Sequence, residues 1–486
     1  MLTTFNLILF IIHLLTVARA ITRPNREPSA RVAWVAIIML LPLLGVIAYL
    51  MLGETSIGKR RMRRLKAAEE RTAKPEASVP LTETVPSEAT LQFGFCQSIN
   101  GLAPIEGNRI TLVGCPGASV HQPTLDSDSA ITSLVRDIEQ ATEHVHICFY
   151  IWLDDDNGGK VVDAVIAAAQ RGVRCRIMVD ALGSRAFIKS IRWQQMHKAG
   201  VILVAALNDI PRLGHLAVGR LDLRNHRKLV VIDNRIAYCG SQNCADPAFR
   251  IKASYAPWVD MFLRCEGPIS RQAQYLFLCN WIAETGEPLE ELAVAKPLPE
   301  RFERGTIAQM YGTGPSTPGN AMSGSFTGAI YSANKELLIT TPYFVPDEAV
   351  MHALCAAPRR GVKTTIIFPE CNDSWLVKYA SRSCYPALLS SGVNIYEYPL
   401  GLLHTKSITM DGKMALVGSA NMDRRSMQLN FENNLLIADA RVTKAIRTRQ
   451  EGYLSVSNPV TQKSVEDWPF HQRLMQNTIS MMAPIL

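Results

Sequence analysis

The chain has 486 residues, of which 48% are hydrophobic, and 51 Lys and Arg against 43 Asp and Glu give it a formal charge of +8. That composition excludes a disordered or collagen-like chain and leaves room for a large buried core. The modest basic excess suits a phosphate ester, a nucleic acid or an anionic lipid surface, and does not choose among them. The 11 cysteines are odd in number, scattered and without a CxxC pair. This argues against a secreted disulfide framework and for buried free thiols in a reducing compartment.

Two apolar stretches open the chain, from about Leu2 to Ala18 and from about Val32 to Leu52. A helix of about 20 apolar residues crosses the bilayer core. The second stretch has that length without a charge, with Trp34 and Tyr49 near its ends as interfacial anchors and Pro42 as a point of kinking. The first is shorter and carries His13. Both are expected to be transmembrane helices, forming a membrane anchor over residues 1–58. Ala18-Arg19-Ala20 has the form of a signal-peptide cleavage site, but no Lys or Arg precedes the apolar run, which argues against cleavage. The cluster Lys59-Arg60-Arg61-Met62-Arg63-Arg64-Leu65-Lys66 is denser than Arg19, Arg23, Arg26 and Arg31 between the stretches. It is therefore expected on the cytoplasmic side, against anionic head groups. Residues 71–90, rich in Pro, Thr, Ser and Glu, read as a linker, so the basic run and linker fill 59–95.

The remainder reads as one unit written twice. A helical stretch from Ile131 to Ala141, a strand from His144 to Trp152, a helix stopping at Gly172 and a strand from Arg174 to Asp180 make the first copy. Ala329 to Ala333, Leu337 to Val345, a helix stopping at Gly361 and Lys363 to Phe368 make the second. Further helix stops recur at Gly200 and Gly392. Alternating strands and helices predict an α/β fold of two half-domains, 96–300 and 301–486, with a site at their seam.

Each copy carries the same motif. His226, Lys228 and Asp233 are followed by Gly240-Ser241-Gln242-Asn243; His404, Lys406 and Asp411 are followed by Gly418-Ser419-Ala420-Asn421. Both read HxKxxxxD, then six residues, then GSxN. His and Lys two apart in a strand share a face and can address one phosphate. Imidazole can attack as a neutral base or donate a proton as imidazolium. Lys supplies fixed charge where phosphate oxygens gather negative charge. Ser241, Asn243, Ser419 and Asn421 offer further donors as phosphate-binding or supporting groups. A lone motif of this kind would be weak; two copies with identical spacing are not.

On these motifs the chain resembles the phospholipase D superfamily, from about Asp128 to Asp439. That resemblance implies two pseudo-symmetric half-domains with mixed sheets flanked by helices. It implies that one motif His forms a phosphohistidine while the other protonates the leaving alcohol and deprotonates the incoming one. No metal or cofactor is implied. The candidate catalytic set is His226, Lys228, Asp233, His404, Lys406 and Asp411, with His226 as nucleophile. By the same resemblance, Asp260 and Glu432 each orient a motif His, and Asp233 and Asp411 brace the site by structural hydrogen bonds. Within the superfamily, the two N-terminal apolar segments, the LPLLGVIAYLMLGE stretch, the basic run, RxHRK and LLHTK resemble the bacterial cardiolipin synthases. This implies transfer of a phosphatidyl group from one phosphatidylglycerol to another, giving cardiolipin and glycerol. It also implies a multi-pass protein of the bacterial inner membrane, its catalytic part cytoplasmic, with phosphatidylglycerol and anionic lipids as partners. A hydrolase, or a transferase using another alcohol, would share the intermediate. A non-catalytic lipid-binding scaffold is disfavoured by two intact motifs. The lack of a basic-aromatic track argues against nucleic acid.

Other signals are weaker. His144 and His146 share a strand face but have no third metal ligand in sight. Asp154-Asp155-Asp156-Asn157-Gly158 resembles a calcium loop but has Val165 where the closing Glu belongs. Gly312-Thr313-Gly314-Pro315 is too short for a phosphate loop. Trp468, Phe470, Leu474 and Met475 near the end fit a membrane surface or ordinary packing equally.

Overall fold

The computed structural model describes residues 2–24, 28–53, 57–75, 87–114, 124–208, 222–294 and 299–482. One mixed sheet of 15 strands runs through the catalytic part. Outward from the centre, the first half orders its strands Ile105–Val113, Phe262–Glu266, Ile236–Gly240, Lys228–Ile232, His144–Phe149, Arg174–Asp180 and Ile202–Ala206. The second half runs Thr306–Thr313, Glu432–Ala438, Met414–Gly418, Ser407–Met410, Glu336–Thr340, Lys363–Pro369 and Asn394–Tyr398, with Asn458–Val460 added at the edge. In each half the first four pairings are antiparallel and the next two parallel. The halves join where Ile105–Val113 pairs antiparallel with Thr306–Thr313. The two copies read from the sequence are thus one topology used twice.

The motif strands lie deep. Lys228–Ile232 and Ser407–Met410 are buried along their whole length, as expected for strands covered on both faces. Gly172, Gly200, Gly361 and Gly392 have φ of 92°, 89°, 85° and 92°. This left-handed turn ends each helix and releases the chain into a strand, and only glycine adopts it without a Cβ penalty. Leu337 to Val345, read as one strand, is two, Glu336–Thr340 and Phe344–Val345, with Pro342 between them.

The helix Ile269–Thr285 is buried almost throughout and packs under strands of both halves. The basic helix Lys59–Arg71 lies on it through Leu65 and Ala68, with Arg61 Nη1 3.2 Å from Glu284. The helix Ser87–Asn100 runs into the start of the first half in sequence, yet its Phe93, Cys96 and Ile99 join the core of the second. The ten described cysteines are free and seven of them are buried.

The second apolar stretch, expected to be one transmembrane helix, is not one continuous helix. It divides into Pro28–Leu40, Pro42–Ala48 and a π-helical turn, Tyr49–Gly53. Pro42 has no N–H to give and its ring collides with the preceding turn, so the helix stops at Leu40. The first stretch forms one helix, Leu2–Thr22. Among the described residues no helix is long and apolar enough to cross a membrane.

Candidate active site

Each motif His is held in place by the opposite half. Trp258-Val259 of the first half pairs in parallel with Leu402-Leu403 of the second, and His404 donates its backbone N–H to Val259 at 2.8 Å. Asn225 bridges to Phe431 in the same sense, and His226 donates its N–H to Phe431 at 2.9 Å. The residue after each of these seam partners is an acid. Glu432 thereby meets His226, with Nδ1 2.9 and 3.0 Å from its two oxygens. Asp260 meets His404, with Nδ1 2.7 Å from Oδ1. The two pairs cross: each carboxylate orients the imidazole of the other motif.

The GSxN serines hold these carboxylates. Ser241 donates its hydroxyl to Asp260 at 2.5 Å, and Ser419 donates to Glu432. Glu432 also accepts from Ser426 at 2.9 Å and Asn430 at 3.4 Å. The serine hydroxyls therefore support the site through the acids. Asn243 accepts the N–H of Ile151 at 3.2 Å, and Asn421 contacts Asp423 at 3.5 Å while its amide oxygen lies buried without a protein partner.

Burial works to raise both acids, but the opposite charges and hydrogen bonds around them win. His404, Lys406 and Ser241 hold Asp260 down to about 2, and His226, Lys228 and Ser419 hold Glu432 below its ordinary range. An ionised carboxylate can only accept, so Nδ1 of each imidazole carries the proton and Nε2 keeps its lone pair. Burial pushes both His226 and His404 down to about 4, against the pull of Glu432 and Asp260 and with the help of the lysines. Neutral, Nε2-nucleophilic imidazole is the resting form. Lys228, pushed down to about 8 by burial, and Lys406, pushed well down, each donate to the carbonyl of their own motif His, at 2.8 and 2.5 Å.

Asp233 and Asp411, counted with the catalytic set from the sequence, are not brought to this centre. About 3.3 Å per residue along the intervening strand carries each well away from its Lys. Asp233 accepts the N–H groups of Thr142, Glu143 and His144 at 2.8–2.9 Å, and Asp411 those of Asn334, Lys335 and Glu336 at 2.8–2.9 Å. These hydrogen bonds tie the motif hairpin to the neighbouring strand. They are the bracing contacts.

Several site residues gave no motif signal. Tyr150 lies edge-on to His226 at 4.9 Å, and Trp258 covers His404 at 4.6 Å. Asp180 accepts the N–H of Asn225 at 2.8 Å, fixing the segment that carries His226. An acid closing the buried strand Arg174–Asp180 was the one hint available. His144 and His146 are buried core rings, with His146 stacked on Phe277 at 4.7 Å. Asp155 caps the helix Asp156–Gln170 through Gly158 N–H at 2.9 Å.

Two half-domains of one topology, each lending a carboxylate to the other's imidazole, define a two-motif phospholipase D-type protein. Residues 134–257 and 326–452 match the family model for the cardiolipin synthase PLD-like domain, and residues 7–54 match the phospholipase D-nuclease N-terminal model. The chain is 38% identical over 480 residues to cardiolipin synthase A of Citrobacter koseri, covering 96% of this chain and 95% of that one. It is 37% identical over 475 residues to cardiolipin synthase A of Cronobacter sakazakii, with the same coverage. The chain belongs to the cardiolipin synthase family. Its fold is shared with the crystal structure of phosphatidylserine synthase from Haemophilus influenzae, at a TM-score of 0.59 and 13% identity over 82% of this chain and 100% of that one.

Proposed function

We propose that this protein is a phosphatidyltransferase that joins two phosphatidylglycerol molecules into cardiolipin and releases glycerol. The observation that carries the reading is the crossed pair of carboxylate–imidazole contacts at the seam of a chain from this family. Nε2 of one His attacks phosphorus, and the glycerol oxygen leaves with a proton from Nε2 of the other. A second phosphatidylglycerol then gives its hydroxyl proton back to that His and attacks the phosphatidyl-histidine, restoring both rings. Lys228 and Lys406 stabilise the negative charge gathered on the phosphate oxygens. A phosphate monoanion between the rings also favours imidazolium, countering the burial that holds them neutral at rest.

His226 is assigned as nucleophile and His404 as general acid and base. The charge of Glu432 is shared among His226, Ser419, Ser426 and Asn430, which leaves less of it to protonate His226. Asp260 is shared between His404 and Ser241, and favours imidazolium at His404 more strongly. Arg227 does not add charge beside His226: its guanidinium donates to the carbonyls of Glu432 and Leu276 at 3.0 Å each.

The N-terminal helices act as a multi-pass anchor in the bacterial inner membrane, with the catalytic part on the cytoplasmic side. Ala20, Trp34, Ile38, Val46 and Tyr49 pack together, while Phe10, Leu14, Leu15, Leu40 and Leu44 are exposed and suit a lipid surrounding. Labelling of an added catalytic-domain cysteine by an impermeant reagent in intact cells would contradict this topology. Mass spectrometry of all products formed from phosphatidylglycerol tests the reaction itself. Cardiolipin and glycerol are expected; phosphatidic acid without cardiolipin would mean a hydrolase.

A further inference from the structure

Segments tied to the seam residues expose large apolar side chains in both halves. Leu182 follows Asp180, whose carboxylate fixes the His226 segment. Ile251 follows Phe249, which stacks at 3.8 Å on Trp258, the ring covering His404. Trp375 is 61% exposed and lies two residues after Asp373. That acid accepts from Tyr343, a ring near His404, at 2.6 Å and pairs with Lys252 of the first half. The helix Phe470–Met481 packs against Trp375–Ser383, its Ile479 resting on Val345 and Ala380. Its opposite face presents Phe470, Leu474 and Met481, 72%, 55% and 75% exposed. At 100° per residue these three fall within about 40° of one another, a single outward stripe.

We propose that these side chains form a rim, a second membrane-contacting surface that seats the mouth of the catalytic seam on an anionic bilayer independently of the N-terminal anchor. The proposal rests on the reaction above, since two-tailed lipids must offer their head groups to the seam while their acyl chains stay in apolar surroundings. Cations sit among the apolar residues: Arg185, Arg250, Lys252 and Arg473 are exposed on the same segments. That mixture fits phosphate head groups over acyl chains. The anchor leads to the same seam. The helix that follows it sets Arg61, Arg64 and Leu65 around a small cavity shared with Leu207, Asn225 and Phe431, at the strand ends that carry the site. A bilayer holding the anchor therefore lies within reach of the rim.

The test uses the full chain in vesicles of phosphatidylglycerol and bromine-labelled phosphatidylcholine. Tryptophan quenching in the native protein minus that in Trp375→Phe isolates Trp375. Quenching of Trp375 is expected. The triple variant Phe470→Ser, Leu474→Ser, Met481→Ser should lose that quenching and form cardiolipin in vesicles about tenfold more slowly. Its rate on a short-chain, monomeric phosphatidyl substrate should stay within about twofold of native. No quenching difference, or an unchanged vesicle rate, overturns the proposal. So does a dimer that the triple variant breaks, which would assign the face to a second copy. Quenching needs no turnover, so quenching without cardiolipin would count against the reaction and leave the surface standing.

Discussion

Replacing Glu432 by Gln and Asp260 by Asn removes the two crossed charges without changing shape, and the two variants should fail in different ways. Glu432 accepts from His226 at 2.9 and 3.0 Å and from Ser426 at 2.9 Å, with Ser419 and Asn430 beside them. An amide offers one acceptor oxygen and turns its NH2 toward a donor. Hydrogen bonds to charged groups contribute about 1.5–3 kcal/mol. The contact to His226 strengthens as that ring becomes positive on bonding to phosphorus. Losing about 3 kcal/mol there slows attack about 10²-fold. Because attack is affected, the loss should persist on a phosphatidyl ester with a good leaving group, such as a nitrophenol. Asp260→Asn instead depopulates the His404 imidazolium that serves as the acid. It should slow turnover of phosphatidylglycerol by a similar factor while leaving the nitrophenol burst within about threefold of native. Stopped-flow absorbance for the burst and product analysis for phosphatidylglycerol measure both. The reasoning fails if both variants lose the burst equally, or if Asp260→Asn loses it and Glu432→Gln does not.

His404→Ala should still accumulate a covalent adduct on His226 from the nitrophenyl ester, and His226→Ala none, as read by mass spectrometry of the protein; an adduct on His404 would reverse the roles. Activity should survive EDTA, because Lys228 and Lys406 supply the charge at the phosphate; loss restored by one divalent ion would refute this. Asp233→Ala should lower stability by about 1–3 kcal/mol through its orphaned N–H groups, with kcat per folded molecule within about threefold. Burial works to raise the Asp233 carboxyl, but its backbone hydrogen bonds hold it below the ordinary range. Its stabilising share is therefore present above about pH 4 and lost as the pH falls through the lowered native value, so urea midpoints of native and variant should converge in acid. Inorganic phosphate binding at pH 7 should take up a proton, since His226 and His404 rest near 4 and the anion favours imidazolium. Calorimetry in buffers of different ionisation enthalpy reads that uptake, and no buffer dependence would refute it.

What was legible in the sequence is what is local. The motif spacing, the repeated strand order and the four glycine helix stops each lie within a few residues of their cause. The pairing of His226 with Glu432 spans 206 residues and that of His404 with Asp260 spans 144, and nothing in either motif says which acid goes where. A pair of two-residue strands at one seam contact and a single bridge at the other decide it. Arg227 neighbours His226 in sequence but donates its guanidinium N–H groups to the carbonyls of Glu432 and Leu276. In an extended chain alternate side chains point to opposite faces, so the residue between His226 and Lys228 faces away. Asp233 and Asp411 travelled with the motif by spacing alone. Pro42 was recognised as a kink; it breaks the helix outright, with Leu41 leaving the helical region at φ −124°, ψ 74°.

The helix Ser87–Asn100 has one more consequence. The chain covers the second half-domain with this helix before it builds the first, then returns to build the second. The halves are interlaced rather than joined end to end. A single protease cut between them would leave a nicked molecule held by its shared sheet and this borrowed helix. A second half expressed alone would begin with Phe326, Ala329 and Ile330 bared where Phe93, Cys96 and Ile99 should lie.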